Sequence, residues 1–137
     1  TTPMLVMATA NSIRELPPEF LRSGRFDAIF FVDMPNATER QQIIIIMNTR
    51  YGTEIPPEYA EKLDGWTGAE IEQLAKDSLF DGLDEAQQNI VPLSKTMKEE
   101  INALQQWAAN RARKANCPDQ REVKLVRRIQ HVTHQQN

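Results

Sequence analysis

At 137 residues, with 40% hydrophobic and 26% charged side chains, the chain has the size and balance of one globular domain with enough apolar content for a core. It holds no apolar run near the ~20 residues that span a bilayer and no charged-then-apolar leader, and its single cysteine, Cys117, excludes an internal disulfide. A cytoplasmic or stromal setting without membrane contact is therefore expected. The net charge of −3 conceals an asymmetry: residues 111–137 carry seven Lys/Arg against two Asp/Glu, which leaves the first 110 residues at −8.

Met4–Ala8 is an apolar run without polar alternation, the pattern of a strand buried on both faces of a parallel sheet. It stops at Asn11, where the strands of an open α/β sheet present ligand-binding groups. Pro17 and Pro18 fix φ ahead of a helical turn at Glu19–Leu21. Arg22-Ser23-Gly24-Arg25 then sets two guanidinium groups three residues apart. Ala28–Val32 is a second strand candidate, rich in aromatic and β-branched residues and closed by Asp33 and Pro35.

Residues 36–114 read as helices. Thr38–Arg50 contains four consecutive isoleucines, Ile43 to Ile46, which suit a buried strand as well. Thr38 as N-cap and Glu39 in the first turn favour helix, and Gly52 ends it. Pro56 and Pro57 open a short helix at Glu58–Leu63, closed by Asp64-Gly65. Thr67-Gly68-Ala69-Glu70 has the spacing of a capping box, and the helix it opens carries a stripe of Ile71, Leu74, Ala75, Leu79 and Leu83. Asp84–Ile90 has room for one or two further turns before Pro92. Ser94 or Thr96 is the cap candidate for a helix over Met97–Lys114, Thr96 with Glu99 having the spacing of a second capping box, and its apolar face holds Met97, Ile101, Leu104, Trp107 and Ala108. From Asn116 the sequence turns polar and basic, which predicts a disordered tail.

The stretch ATANSIRELPPEFLRSGRFD resembles the segment that AAA ATPases carry from their sensor-1 strand to their arginine fingers. The likeness continues through PNATERQQII to GWTGAEIEQLAKDSL, similar to the family's sensor-2 helix, and covers roughly residues 4–82. VPLSKTMKEEINALQQWAANRAR resembles the C-terminal end of a cyanobacterial and plastid-type branch. The fold class implied is the end of a parallel α/β sheet contributing two strands (residues 1–35), then an α-helical lid (36–114), then a basic tail (115–137).

The same resemblance assigns roles. Asn11 is the sensor-1 residue, a neutral amide able to orient an attacking water; alone it reads as a turn-capping Asn, common at a strand end. Arg22 and Arg25 are the paired arginine fingers that reach a neighbouring subunit's nucleotide, Arg25 the closer of the two; an R-x-x-R without this context is a solvated basic loop. A guanidinium keeps its charge and binds phosphate bidentately, so a finger supplied in trans contributes roughly 10³–10⁵ in rate. Gly68 and Ala69 are the sensor-2 pair, small enough for backbone to approach a nucleotide; close helix packing needs small residues too. Ile43 and Met47 match positions that line the adenine pocket. Met47 stands where a His is often found, and Ile43 by itself reads as core.

The cofactor implied is ATP or ADP, with Mg²⁺ held by an upstream part, because the sequence contains no G-x-x-x-x-G-K-[ST] loop and no apolar run ending in Asp-Glu. On that basis the chain alone is expected to be inactive as an ATP hydrolase. The partners implied are further copies of the parent in a homo-oligomeric ring and a macromolecular substrate of unspecified kind. Nucleic acid is disfavoured, since the basic residues beyond Arg111 lack aromatic interleaving. The alternative reading is a non-catalytic helical interaction module that keeps the shape of the lid and takes no nucleotide.

Overall fold

A computed structural model describes residues 2–22 and 26–116. After a 3-10 turn at Pro18–Leu21 come β1 (Phe30–Phe31) and α1 (Ala37–Tyr51), then a 3-10 segment at Pro57–Leu63. They are followed by α2 (Gly68–Asp81), α3 (Leu83–Asn89), α4 (Leu93–Thr96), α5 (Lys98–Arg111) and β2 (Arg113–Lys114). The expected class holds: a two-stranded parallel sheet accompanied by a mostly helical body.

The isoleucine run is helical because both of its ends are. Asn36 Oδ1 accepts from the Glu39 N–H at 2.9 Å while Glu39 reaches back to the Asn36 N–H, a capping box two residues upstream of the expected Thr38. At the other end Gly52 adopts φ 68°, ψ 29°, the left-handed cap that glycine enters at least cost, and its N–H returns to the Asn48 carbonyl. A helix turns each successive isoleucine by about 100°. Ile44 is consequently fully buried and Ile43 partly so, whereas Ile45 and Ile46 stay about half exposed.

The core lies among α1, the Pro57–Leu63 segment, α2 and α3. Ile44, Ile55, Tyr59, Ala60, Leu63, Trp66, Ile71, Leu74, Ala75 and Ala86 form it, flanked by Ile43, Met47, Tyr51, Leu83 and Ile90. Asn48 organises one corner: its amide donates to the Ile55 carbonyl and accepts from the Ile55 N–H and the Thr53 hydroxyl. Arg40 is buried, with Nε donating to the Ala60 carbonyl at 3.0 Å and a terminal nitrogen to the Pro35 carbonyl at 2.9 Å. Its ion pair with Asp64, 3.4 Å away, adds little because that carboxylate faces water. Carbonyl bonding is what satisfies the guanidinium.

Several expectations change. Met4–Ala8 forms no strand, and Met4, Leu5, Val6 and Met7 are largely exposed. A strand buried on both faces needs partners along both edges, and no described residue pairs with this one. The strand partner of β1 is Arg113–Lys114, from residues expected to end a helix. α5 stops at Arg111 because Ala112 is extended, at φ −132°, ψ 154°. Thr96 does not cap α5; it closes α4, with its hydroxyl donating to the Leu93 carbonyl, and α5 begins without a side-chain cap. Leu79, placed on the α2 stripe, is over half exposed because that end of α2 runs past the core.

Candidate functional site

The start of α2 is the most constrained part of the site. Thr67 caps it as expected: its hydroxyl accepts from the Glu70 N–H at 3.3 Å, and Glu70 accepts from the Thr67 N–H at 2.7 Å. The other Glu70 oxygen accepts from the Leu93 N–H, so one carboxylate joins the start of α2 to the start of α4. Trp66, buried just before the cap, donates its backbone N–H to the Leu63 carbonyl. Gly65 packs against the same junction. A Cβ there would stand 2.6 Å from Ser94 Oγ, and its φ of 75° already disfavours any L side chain.

Gly68 and Ile43 meet across the α1–α2 seam. A Cβ at Gly68 would lie 3.9 Å from Ile43 Cδ1, ordinary contact that leaves room for little more. Met47 follows Ile43 one turn along α1 and, like it, is partly buried against the core. Ala69 is exposed beside Gly68. The four residues expected to contact nucleotide therefore fall in one neighbourhood: Gly68 and Ala69 opening α2, Ile43 and Met47 on the facing helix.

The far side of that seam is electrostatic. The Tyr51 hydroxyl donates to Glu72, which also pairs with Lys76 at 3.4 Å and Arg50 at 3.6 Å. The hydrogen bond from Tyr51, helped by the two cations, holds the Glu72 carboxyl below the usual carboxylate range. The same group raises Lys76 above its ordinary value, the bond to Tyr51 leading.

Asn11 and Arg22 lie on the N-terminal segment, and both are exposed. Arg25 lies outside the described residues. Phe20 and Phe26 stack at 6.2 Å between centroids and 27° between planes. The basic tail expected at 115–137 is described only at Ala115 and Asn116. Among the described residues no group of His, Cys, Asp and Glu is arranged to hold a metal ion, and no helix is long and apolar enough to cross a membrane.

Three participants escaped the sequence reading. Arg40 carried no signal beyond its place in an amphipathic helix. Ser94 was read only as a possible helix cap. Asn116 stood at the start of a polar stretch, and nothing local marks a side chain whose partners lie about eighty residues upstream.

No protein-family model and no solved structure matches the chain. Curated proteins do. An uncharacterized AAA domain-containing protein, ycf46 of Pyropia yezoensis, is 38% identical over a 135-position alignment taking in 83% of this chain and 27% of that protein. The ycf46 protein of Gracilaria tenuistipitata is 36% identical over 77% of the chain and 25% of its own length. The ATP-dependent zinc metalloprotease FtsH of Halothermothrix orenii is 32% identical over 90% of the chain and 19% of its own length. The chain thus spans about a quarter of the length of the ycf46 relatives. With the parallel strands, the capped Thr67–Glu70 helix start and these relatives together, the chain belongs to the AAA ATPase family and corresponds to the C-terminal part of its module.

Proposed function

We propose that this chain is the nucleotide-sensing and finger-bearing part of an ATPase that assembles as a homo-oligomeric ring and remodels a macromolecule. The observation that carries the reading is the approach of Gly68 to Ile43, with Met47 one turn further along the same helix. A backbone without a Cβ faces the Ile43 side chain, an apolar surface suited to a purine ring, at a helix start whose N–H groups favour phosphate charge. Gly68, Ala69, Ile43 and Met47 would hold ATP or ADP; Mg²⁺ and the phosphate loop belong to other residues of the parent. Asn11 would orient water in cis, while Arg22 and Arg25 would neutralise charge developing on the neighbour's γ-phosphate. Domain limits at residues 35 and 114 follow from the same reading, with the helical part moving as a lid.

The decisive variant is Arg25→Ala in the full-length protein. Turnover should fall by roughly 10³-fold or more while ATP binding stays unchanged, because a finger acts on the transition state of the adjacent site. Unchanged turnover would remove the finger assignment. Gly68→Leu, which drives a side chain into Ile43, should weaken ADP binding at least tenfold. Absence of ADP binding by the unaltered full-length protein would leave the helical interaction module as the better reading.

A further inference from the structure

We propose that β2 and Asn116, with Gln105 of α5, form a clasp on the segment joining β1 to α1, so that residues 113–116 fix where α1 starts. The segment Asp33–Asn36 is short, and its backbone is held from several sides. Asn116 Oδ1 accepts from the Asp33 N–H at 2.7 Å. Its Nδ2 lies 3.3 Å from the Asp33 carbonyl and 3.4 Å from the Met34 carbonyl, and within 3.1 and 3.3 Å of the two Glu39 oxygens. Gln105 Nε2 donates to Asp33 Oδ1 at 2.8 Å, and the same oxygen accepts from the Met34 N–H. The Pro35 carbonyl is taken by Arg40.

The strand pairing aims Asn116 at this segment. Phe30 is in register with Arg113 and Phe31 with Lys114, while the Arg113 and Ala115 N–H groups donate at 2.9 Å to the Ile29 and Phe31 carbonyls. A parallel ladder advances both chains together, so the residue after Ala115 arrives beside Asp33, two positions beyond Phe31. An asparagine suits the place because one face of its amide accepts from Asp33 N–H while the other donates to carbonyls and to Glu39. Glu39 is also half of the α1 capping box. Asn116 therefore touches the linker and the helix cap at once, from sequence separations of 77 to 83 residues.

The arrangement links parts that the sequence separates. β1 follows the loop holding Arg22, and α1 holds Ile43 and Met47; the clasp sets one against the other. Asn116 is a positioning residue in this scheme. Its consequence for nucleotide contacts rests on the function proposed above, but the clasp itself rests on geometry alone.

Amide hydrogen exchange on this chain, without nucleotide, tests it, so failure of the clasp and failure of the nucleotide reading are distinguishable. Asn116→Ala should raise exchange at Asp33, Met34, Arg113 and Ala115 together by at least tenfold and leave Ile71, Leu74 and Ala75 of α2 as protected as before. Gln105→Ala, which leaves β2 and Asn116 intact, should accelerate Asp33 and Met34 to a smaller extent and spare Arg113 and Ala115. Unchanged exchange at all four amides in Asn116→Ala would overturn the proposal. So would acceleration spread equally into α2, which would assign Asn116 to global stability.

Discussion

The chain contains two apolar regions with opposite fates. Met4–Met7 is apolar throughout and the α1–α2 stretch only in part, yet the first is largely exposed and the second supplies fully buried Ile44, Ile71 and Leu74. The difference is one of partners. A helix satisfies its own backbone bonds and needs only a facing stripe, which α1, α2 and α3 provide for each other. An extended segment must find both its hydrogen bonds and its cover elsewhere. Apolar sequence states a demand for burial; local chain geometry decides whether nearby residues meet it.

The largest effect that would break this contrast is in the helical region. Leu74→Ala should cost about 2–5 kcal/mol, read as a lower urea midpoint at unchanged slope; a loss near zero would mean the α2 core is not the stabilising unit. Gly65→Ala should cost about 1–3 kcal/mol, since it combines a positive φ with a contact at Ser94, and adding Ser94→Ala should restore only part of the loss. Thr67→Ala, which opens the α2 cap, should cost about 1 kcal/mol in the same melt.

A pH effect sharpens the comparison within the helical region. Burial, then the neighbouring Asp84 carboxylate, push the Tyr59 hydroxyl from 10.0 up to about 12; it also lies 2.6 Å from Gln87 Oε1. The folded state thus favours the neutral phenol. This contribution is complete below pH 10 and fades between pH 10 and about 12, because the unfolded chain releases the proton first. Tyr59→Phe should flatten that part of the stability profile. The smallest effect belongs to the exposed segment: Leu5→Ala should change the stability of this chain by less than about 0.5 kcal/mol. A larger loss would show that Leu5 is covered in solution.

Much of the helical body was legible because its signals are local. Thr67 and Glu70 announced their capping box by spacing, Gly52 its cap, and Pro57 the start of a 3-10 segment. The α1 cap was misplaced by two residues, since Asn36 and Thr38 are both acceptable caps and only the reciprocal bond with Glu39 separates them. Gly68, Ala69, Ile43 and Met47 could be nominated through a family resemblance, and their proximity required the fold. Asn116 could not be nominated at all.

By itself, then, the sequence determined the helical content, most helix ends and the Ile71, Leu74 and Ala75 part of the α2 stripe, because those depend on residues within about four positions of one another. Only the tertiary structure decided that Arg113 and Lys114 extend into a strand beside Phe30 and Phe31, that Arg40 is buried against carbonyls, and that Asn116 grips the start of α1. These are contacts across 20 to 83 residues. Their partners are chosen by how packed elements bring backbone groups together, which no local pattern records.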